Sequence, residues 1–129
     1  MDFQDAKSIS ASAMRAQTNR LRFITENIAN ADTPGYRRKV ATFKEVVDQG
    51  RETGRVQSGP VELDRSALDR IYDPSHPLAN GDGYYDGSNV ALVVEIADAR
   101  EAQRSYEANL RMFDQARKMR SSLLDILKR

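Results

Sequence analysis

Every proline and glycine of this 129-residue chain falls between residues 34 and 87, which leaves two long terminal stretches free of both. Neither stretch contains a residue that stops a helix, and the middle holds all those that do. The first stretch, Asp2 to Ala31, carries Ile9, Ala13, Ala16, Leu21, Ile24, Ile28 and Ala31 at spacings of three to five, which predicts one helix of roughly 45 Å at 1.5 Å per residue. Phe3 and Phe23 widen its apolar stripe, so a single partner helix would not cover it. The second helix is expected from Asn89, whose side chain suits an N-cap, through to Arg129, a length of roughly 60 Å. Ala99, Ala102, Tyr106, Asn109, Phe113, Ala116, Arg120, Leu123 and Leu127 alternate steps of three and four, the seam of a coiled coil. Asn109 and Arg120 interrupt that seam with polar groups, which cost stability and fix register.

The middle predicts short strands and loops, among them "KVATF", "RVQSGPVEL" and "DRIYD"; "FKEVVDQ" fits a strand or a helical turn equally well. Charge divides along the same lines, with a net of +3 over residues 1–40, −4 over 41–89 and +2 over 90–129, together the +1 of the whole chain. So small a total offers no field to attract nucleic acid or an anionic membrane, and partners are expected to be recognised by shape. The fold class that follows is mainly α with a small β or irregular middle: residues 1–32 and 90–129 form one antiparallel, coiled-coil-like hairpin, and residues 33–89 lie between them. Two helices leave much of each apolar stripe in water, so other copies or other proteins are expected to cover it. Head-to-tail contacts that do not close into a ring would build a filament or tube.

The junction after the first helix has its own chemistry. Pro34 disfavours helix at Thr33, and Pro34-Gly35 suits the centre of a type II turn. Asn27 and Asn30 share one side of the last helical turn, where amides bond either freed carbonyls or a neighbouring chain, as junction residues rather than core. Tyr36 can bury its ring and keep a wet hydroxyl, and Arg37, Arg38 and Lys39 follow as an extended basic strand expected to contact neighbouring subunits.

The stretch "ITENIANADTPGYRRK" resembles the N-terminal signature of flagellar rod and hook proteins, with Thr25, Asn27, Ile28, Ala29, Asn30, Thr33, Gly35 and Tyr36 on its pattern. The preceding "SASAMRAQTNRLRFITENIAN" is similar to the opening helix of that family, and "YDPSHPLANGDGYYDGSNV" with "EIADAREAQRSYEANLRMFDQARKM" resembles its proximal-rod members. The resemblance implies a structural subunit of the bacterial flagellar basal-body rod, the helical drive shaft between the membrane ring and the hook. It implies export by the flagellar type III apparatus into the periplasm, in line with an N-terminus that lacks the pattern of a cleaved signal. It also implies terminal helices in the inner layer of a tube, and as partners copies of itself, other rod proteins, a rod-to-ring adaptor and the membrane-ring protein.

Other chemistries are weaker. His76 is the sole histidine and sits between Pro74 and Pro77, which favours a turn over a metal or acid–base site. Aligning Asn80, Asp82 and Gly83 with a calcium loop puts Leu78 and Asn89 where carboxylates are required. Tyr106 and Phe113 read as seam packing, and no phosphate loop, nucleophile elbow or dinucleotide fingerprint occurs. No cofactor, metal, small-molecule substrate, nucleic acid, membrane insertion or catalysis is expected; the competing reading is a cytoplasmic coiled-coil adaptor.

Overall fold

A computed structural model describes residues 2–128. Helix α1 spans Phe3–Ala29 and helix α2 Leu92–Leu127. Between them lie six short strands: β1 (Lys39–Val40), β2 (Phe43–Asp48), β3 (Arg51–Ser58), β4 (Glu62–Leu63), β5 (Arg70–Tyr72) and β6 (Tyr84–Asp86). The helices pack antiparallel: Arg120 near the end of α2 donates to Gln4 at 3.2 Å, and Asn27 near the end of α1 donates to Glu95 at 3.2 Å. The fold is thus the helical hairpin with a small β middle that the Pro- and Gly-free termini predict.

The helix ends are set by local chemistry. Asp2 caps α1 in a reciprocal box with Asp5, which satisfies one free N–H at each position and places carboxylates at the positive end of the helix dipole. At α2 the expectation was wrong: Ala91, not Asn89, occupies the cap and makes no side-chain bond. Asn89 instead accepts the Arg38 N–H at 2.7 Å and donates to the Asp64 carbonyl at 3.0 Å, long-range bonds that take its side chain away from α2. The expected end of α2 at Arg129 lies outside the described residues.

Each strand pairs with one partner, antiparallel throughout: β1 with β4, β2 with β3, β5 with β6. The ambiguous "FKEVVDQ" resolves as β2, because Gln49 and Gly50 both take positive φ (49° and 77°) and close a two-residue hairpin onto β3. This hairpin lies on α1. Ser12 donates its hydroxyl to Ile9 O and accepts the Val56 N–H of β3, while Gly54 passes so close that an added Cβ would sit 3.1 Å from Ile9 Cδ1. Ser12 is buried beneath it, so part of the surface of α1 that one helix could not cover is covered by the chain's own hairpin.

The core is small. Ala16, Phe23 and Ile24 of α1 and Ala102 and Ala116 of α2 are its buried apolar members. Ala13, Ile9 and Leu21 are half-buried, as are Ala99, Tyr106, Asn109 and Phe113, with Lys7 Nζ 5.5 Å from the Phe113 ring centroid. Asn109 turns its amide back to the Ser105 carbonyl at 2.8 Å, which satisfies it within α2. Arg120, Leu123 and Leu127 are exposed, although Arg120 still reaches Gln4 and Leu123 lies beside Phe3, in the first turn of α1. Among the described residues no helix is long and apolar enough to cross a membrane.

Candidate functional site, the junction of helices and strands

The densest polar chemistry gathers where α1 ends, β1 begins and α2 starts. Asn27 is 0% exposed, and its amide makes four bonds. It donates to Lys39 O at 3.0 Å and Glu95 Oε2 at 3.2 Å, and it accepts from Lys39 N–H and the Tyr36 hydroxyl, both at 2.8 Å. One side chain therefore ties the last turn of α1, the turn after it, β1 and the first turn of α2. Asn27 sits at the junction as expected but is also core, not outside it, because it has the full set of partners that burial requires. Asn30 takes the other role: its amide bonds the freed Glu26 carbonyl at 2.8 Å, and its oxygen accepts from Thr33 at 3.1 Å.

Pro34 and Gly35 stand at the centre of a turn closed by Tyr36 N–H to Thr33 O at 3.2 Å, with Gly35 at φ +73°, the type II geometry. The Gly35 N–H reaches Gly87 O at 3.0 Å, and the Ser88 hydroxyl bonds Ala31 O, so this turn is docked on the segment that leads into α2. An added Cβ at Gly35 would meet nothing within 4 Å, so substitution there costs conformation, not space. Gly35→Val is expected to lower stability by about 1–2 kcal/mol, the cost of left-handed backbone in a residue with a Cβ, read from the urea midpoint. An unchanged midpoint would remove the turn's φ from the account.

The three cations all find partners within the chain. Arg37 donates to the carbonyls of Asp64 and Ser66 at 3.2 and 2.9 Å. Arg38 spreads its guanidinium over Glu95 (2.7 Å), Asp64 (3.2 Å) and Asp98 (3.3 Å). Lys39 pairs with Glu26 at 2.7 Å. Each donor nitrogen of Arg38 has an acidic partner within the chain, so the guanidinium joins α2 to the start of β1. Burial works against its charge, but the bonds to Glu95 and Asp64 outweigh that and hold it protonated above its ordinary range. Ser66, through its backbone N–H and hydroxyl, and then Arg38 hold Asp64 below the usual carboxylate range, while the Lys39 bond lowers Glu26 and the Glu26 bond raises Lys39. Burial raises Tyr36.

Glu95 is the residue that sequence reasoning missed. It is 0% exposed at the first turn of α2, where the helix dipole favours a carboxylate. A signal was available: four residues before Ala99, Glu95 is the next step of the seam, and a carboxylate on a buried seam requires a cation. Elsewhere His76 stacks on Tyr85 with ring centroids 3.9 Å apart and accepts the Leu78 N–H, holding the loop before β6. Among the described residues no group of three His, Asp or Glu is placed to hold a metal ion.

Asn27 and Glu95, on the two sides of this junction, fall within the parts of the chain that match known families. The family described as "Flagella basal body rod protein" matches residues 8–37, and that described as "Flagellar basal body rod FlgEFG protein C-terminal" matches residues 82–126. The "Flagellar basal-body rod protein FlgC" of Agrobacterium fabrum is 42% identical over 130 residues, covering 95% of this chain and 94% of the relative. The proteins of the same name in Salmonella typhimurium and Bacillus subtilis are 33% and 29% identical, covering 86% and 92% of this chain and 87% and 94% of the relatives.

Proposed function

The chain belongs to the FlgC family of flagellar basal-body rod proteins, and we propose that its junction fixes the angle at which a subunit's helical hairpin leaves its β segment inside the rod. It is a structural subunit of the flagellar rod, and its place is the basal body. The cytoplasmic adaptor reading is not favoured.

The observation that carries the finer reading is the buried Asn27–Arg38–Glu95 node, at the boundary between residues 1–32 and 90–129 on one side and 33–89 on the other. A drive shaft transmits torque only if its subunits do not flex at such joints, and a node with every donor and acceptor occupied resists bending. In this reading the terminal helices form the inner layer of the tube in the proximal rod, and the middle segment stands outside them. Copies of the chain, other rod proteins, a rod-to-ring adaptor and the membrane-ring protein are its neighbours, reached through the flagellar type III apparatus and assembled in the periplasm. We assign it no reaction and no cofactor.

The test is location. Purified basal bodies should contain the chain, and a block in flagellar type III export should empty the extracytoplasmic fraction of it. Basal bodies without it, or an extracytoplasmic amount indifferent to the block, would overturn the reading. A second expectation concerns the seam: Phe113→Asp places a carboxylate against α1 and should cost about 2 kcal/mol and abolish swimming in soft agar. A normal swimming halo would show that the seam does not run through Phe113.

A further inference from the structure

The rod reading leaves open which surfaces join one copy to the next, and two apolar patches at opposite ends of α2 answer it. At the N-terminal end Leu92, Val93, Val94 and Ile96 are exposed, Val93 by 81%, and Arg100 and Arg104 continue the outward face beside Val93 and Ile96. At the other end Phe3 and Ala6 of α1, with Met112, Ala116, Met119 and Leu123 of α2, line an open groove of about 580 Å³, with Asp2 at its rim. Ala116 also belongs to the buried core, so the groove floor continues the helix–helix seam.

We propose that this groove receives the Val93–Ile96 face of a second copy of the chain. The interaction rests on the rod reading and names the contact that propagates it. A chain cannot make the contact with itself: from Val93 to Met119 is 119 − 93 = 26 residues, about 39 Å along a rigid helix. Charge agrees with the match. Arg100 and Arg104 have no ion-pair partner among the described residues, and the groove that would receive their neighbours is rimmed by the carboxylate of Asp2. The patch and the groove are different surfaces, so the contact is heterologous, and copies joined by it extend into a helix where the rotation between them does not close into a ring.

The chain has no cysteine, which makes the contact readable by cross-linking. Val93 and Met119 are both exposed in the subunit, so cysteine at either leaves the fold intact. In basal bodies treated with a mild oxidant, the double variant Val93→Cys/Met119→Cys should give a ladder of covalent dimers and higher multimers, and each single variant only monomer. Dimers from Val93→Cys alone, or a double variant that stays monomeric within basal bodies, would overturn the proposal. If the double variant does not enter basal bodies, the two purified single variants mixed and oxidised together decide it. A mixed dimer at least about tenfold above either like pair supports the contact, and equal yields overturn it. Basal bodies that lack even the wild-type chain would defeat the rod reading, and the purified mixture would still decide the pairing.

Discussion

Arg38→Ala is expected to destabilise the folded chain by about 3–5 kcal/mol, the range for removing one partner of a buried ion pair. The magnitude follows from what remains. Glu95 is fully buried, and its closest partner is Arg38 Nε at 2.7 Å. Without the guanidinium, its carboxylate keeps only the Asn27 amide at 3.2 Å and the start of α2, too little to replace water. Asp64 and Asp98 lose a partner at the same time, though both are partly exposed and water recovers most of that loss. Against a typical total stability of about 5–15 kcal/mol the variant should be marginal, and its swimming halo should shrink accordingly. Arg38→Met combined with Glu95→Leu should cost less than Arg38→Ala alone, because no charge is then stranded. Urea denaturation of the three proteins checks this. A single-variant cost below about 1 kcal/mol, or a double variant that costs as much as Arg38→Ala, would show that the pair is not the joint.

The helices were legible in the sequence because what makes them is local: two runs without Pro or Gly, and periodic apolar positions. Their ends were less so, since Asn89 satisfies every local rule for a cap and yet bonds Arg38 and Asp64, 51 and 25 residues away. The same distance hid the fate of the cations. A reader of "YRRK" sees no acid nearby, whereas Arg38 meets Asp64, Glu95 and Asp98 at separations of 26, 57 and 60 residues. The hairpin on α1 was invisible for a related reason. Ser12 interrupts the apolar stripe and looks solvated, but it is buried because β3 supplies the partner its hydroxyl needs. The signature residues marked the right place, the type II turn and the last turn of α1, without indicating that Asn27 would be its centre.

Asn27→Leu carries the second large effect, about 4 kcal/mol, and it separates a bonded node from a merely packed one. Leucine is close to asparagine in size and more apolar, so if position 27 were only filled space, burying it would be neutral or favourable. In the node it strands four groups: the Lys39 N–H and carbonyl, the Tyr36 hydroxyl and one oxygen of Glu95. A buried group left without its bond costs about 1–3 kcal/mol; Glu95 keeps Arg38 and the Tyr36 hydroxyl can turn to water, so the sum lies below the naive total. Asn27→Asp is the sharper control. Its oxygens still accept from Tyr36 and the Lys39 N–H, but it gives up both donated bonds and sets a second carboxylate about 3 Å from Glu95. That variant should be destabilised at neutral pH and regain stability in acid, since protonation of the carboxyl at position 27 restores one donor and removes the repulsion. Denaturation midpoints measured between about pH 7 and pH 5 read this out, with wild type compared over the same range. Asn27→Leu at wild-type stability, or Asn27→Asp with no gain in acid relative to wild type, would mean that the amide's four bonds do not hold the joint.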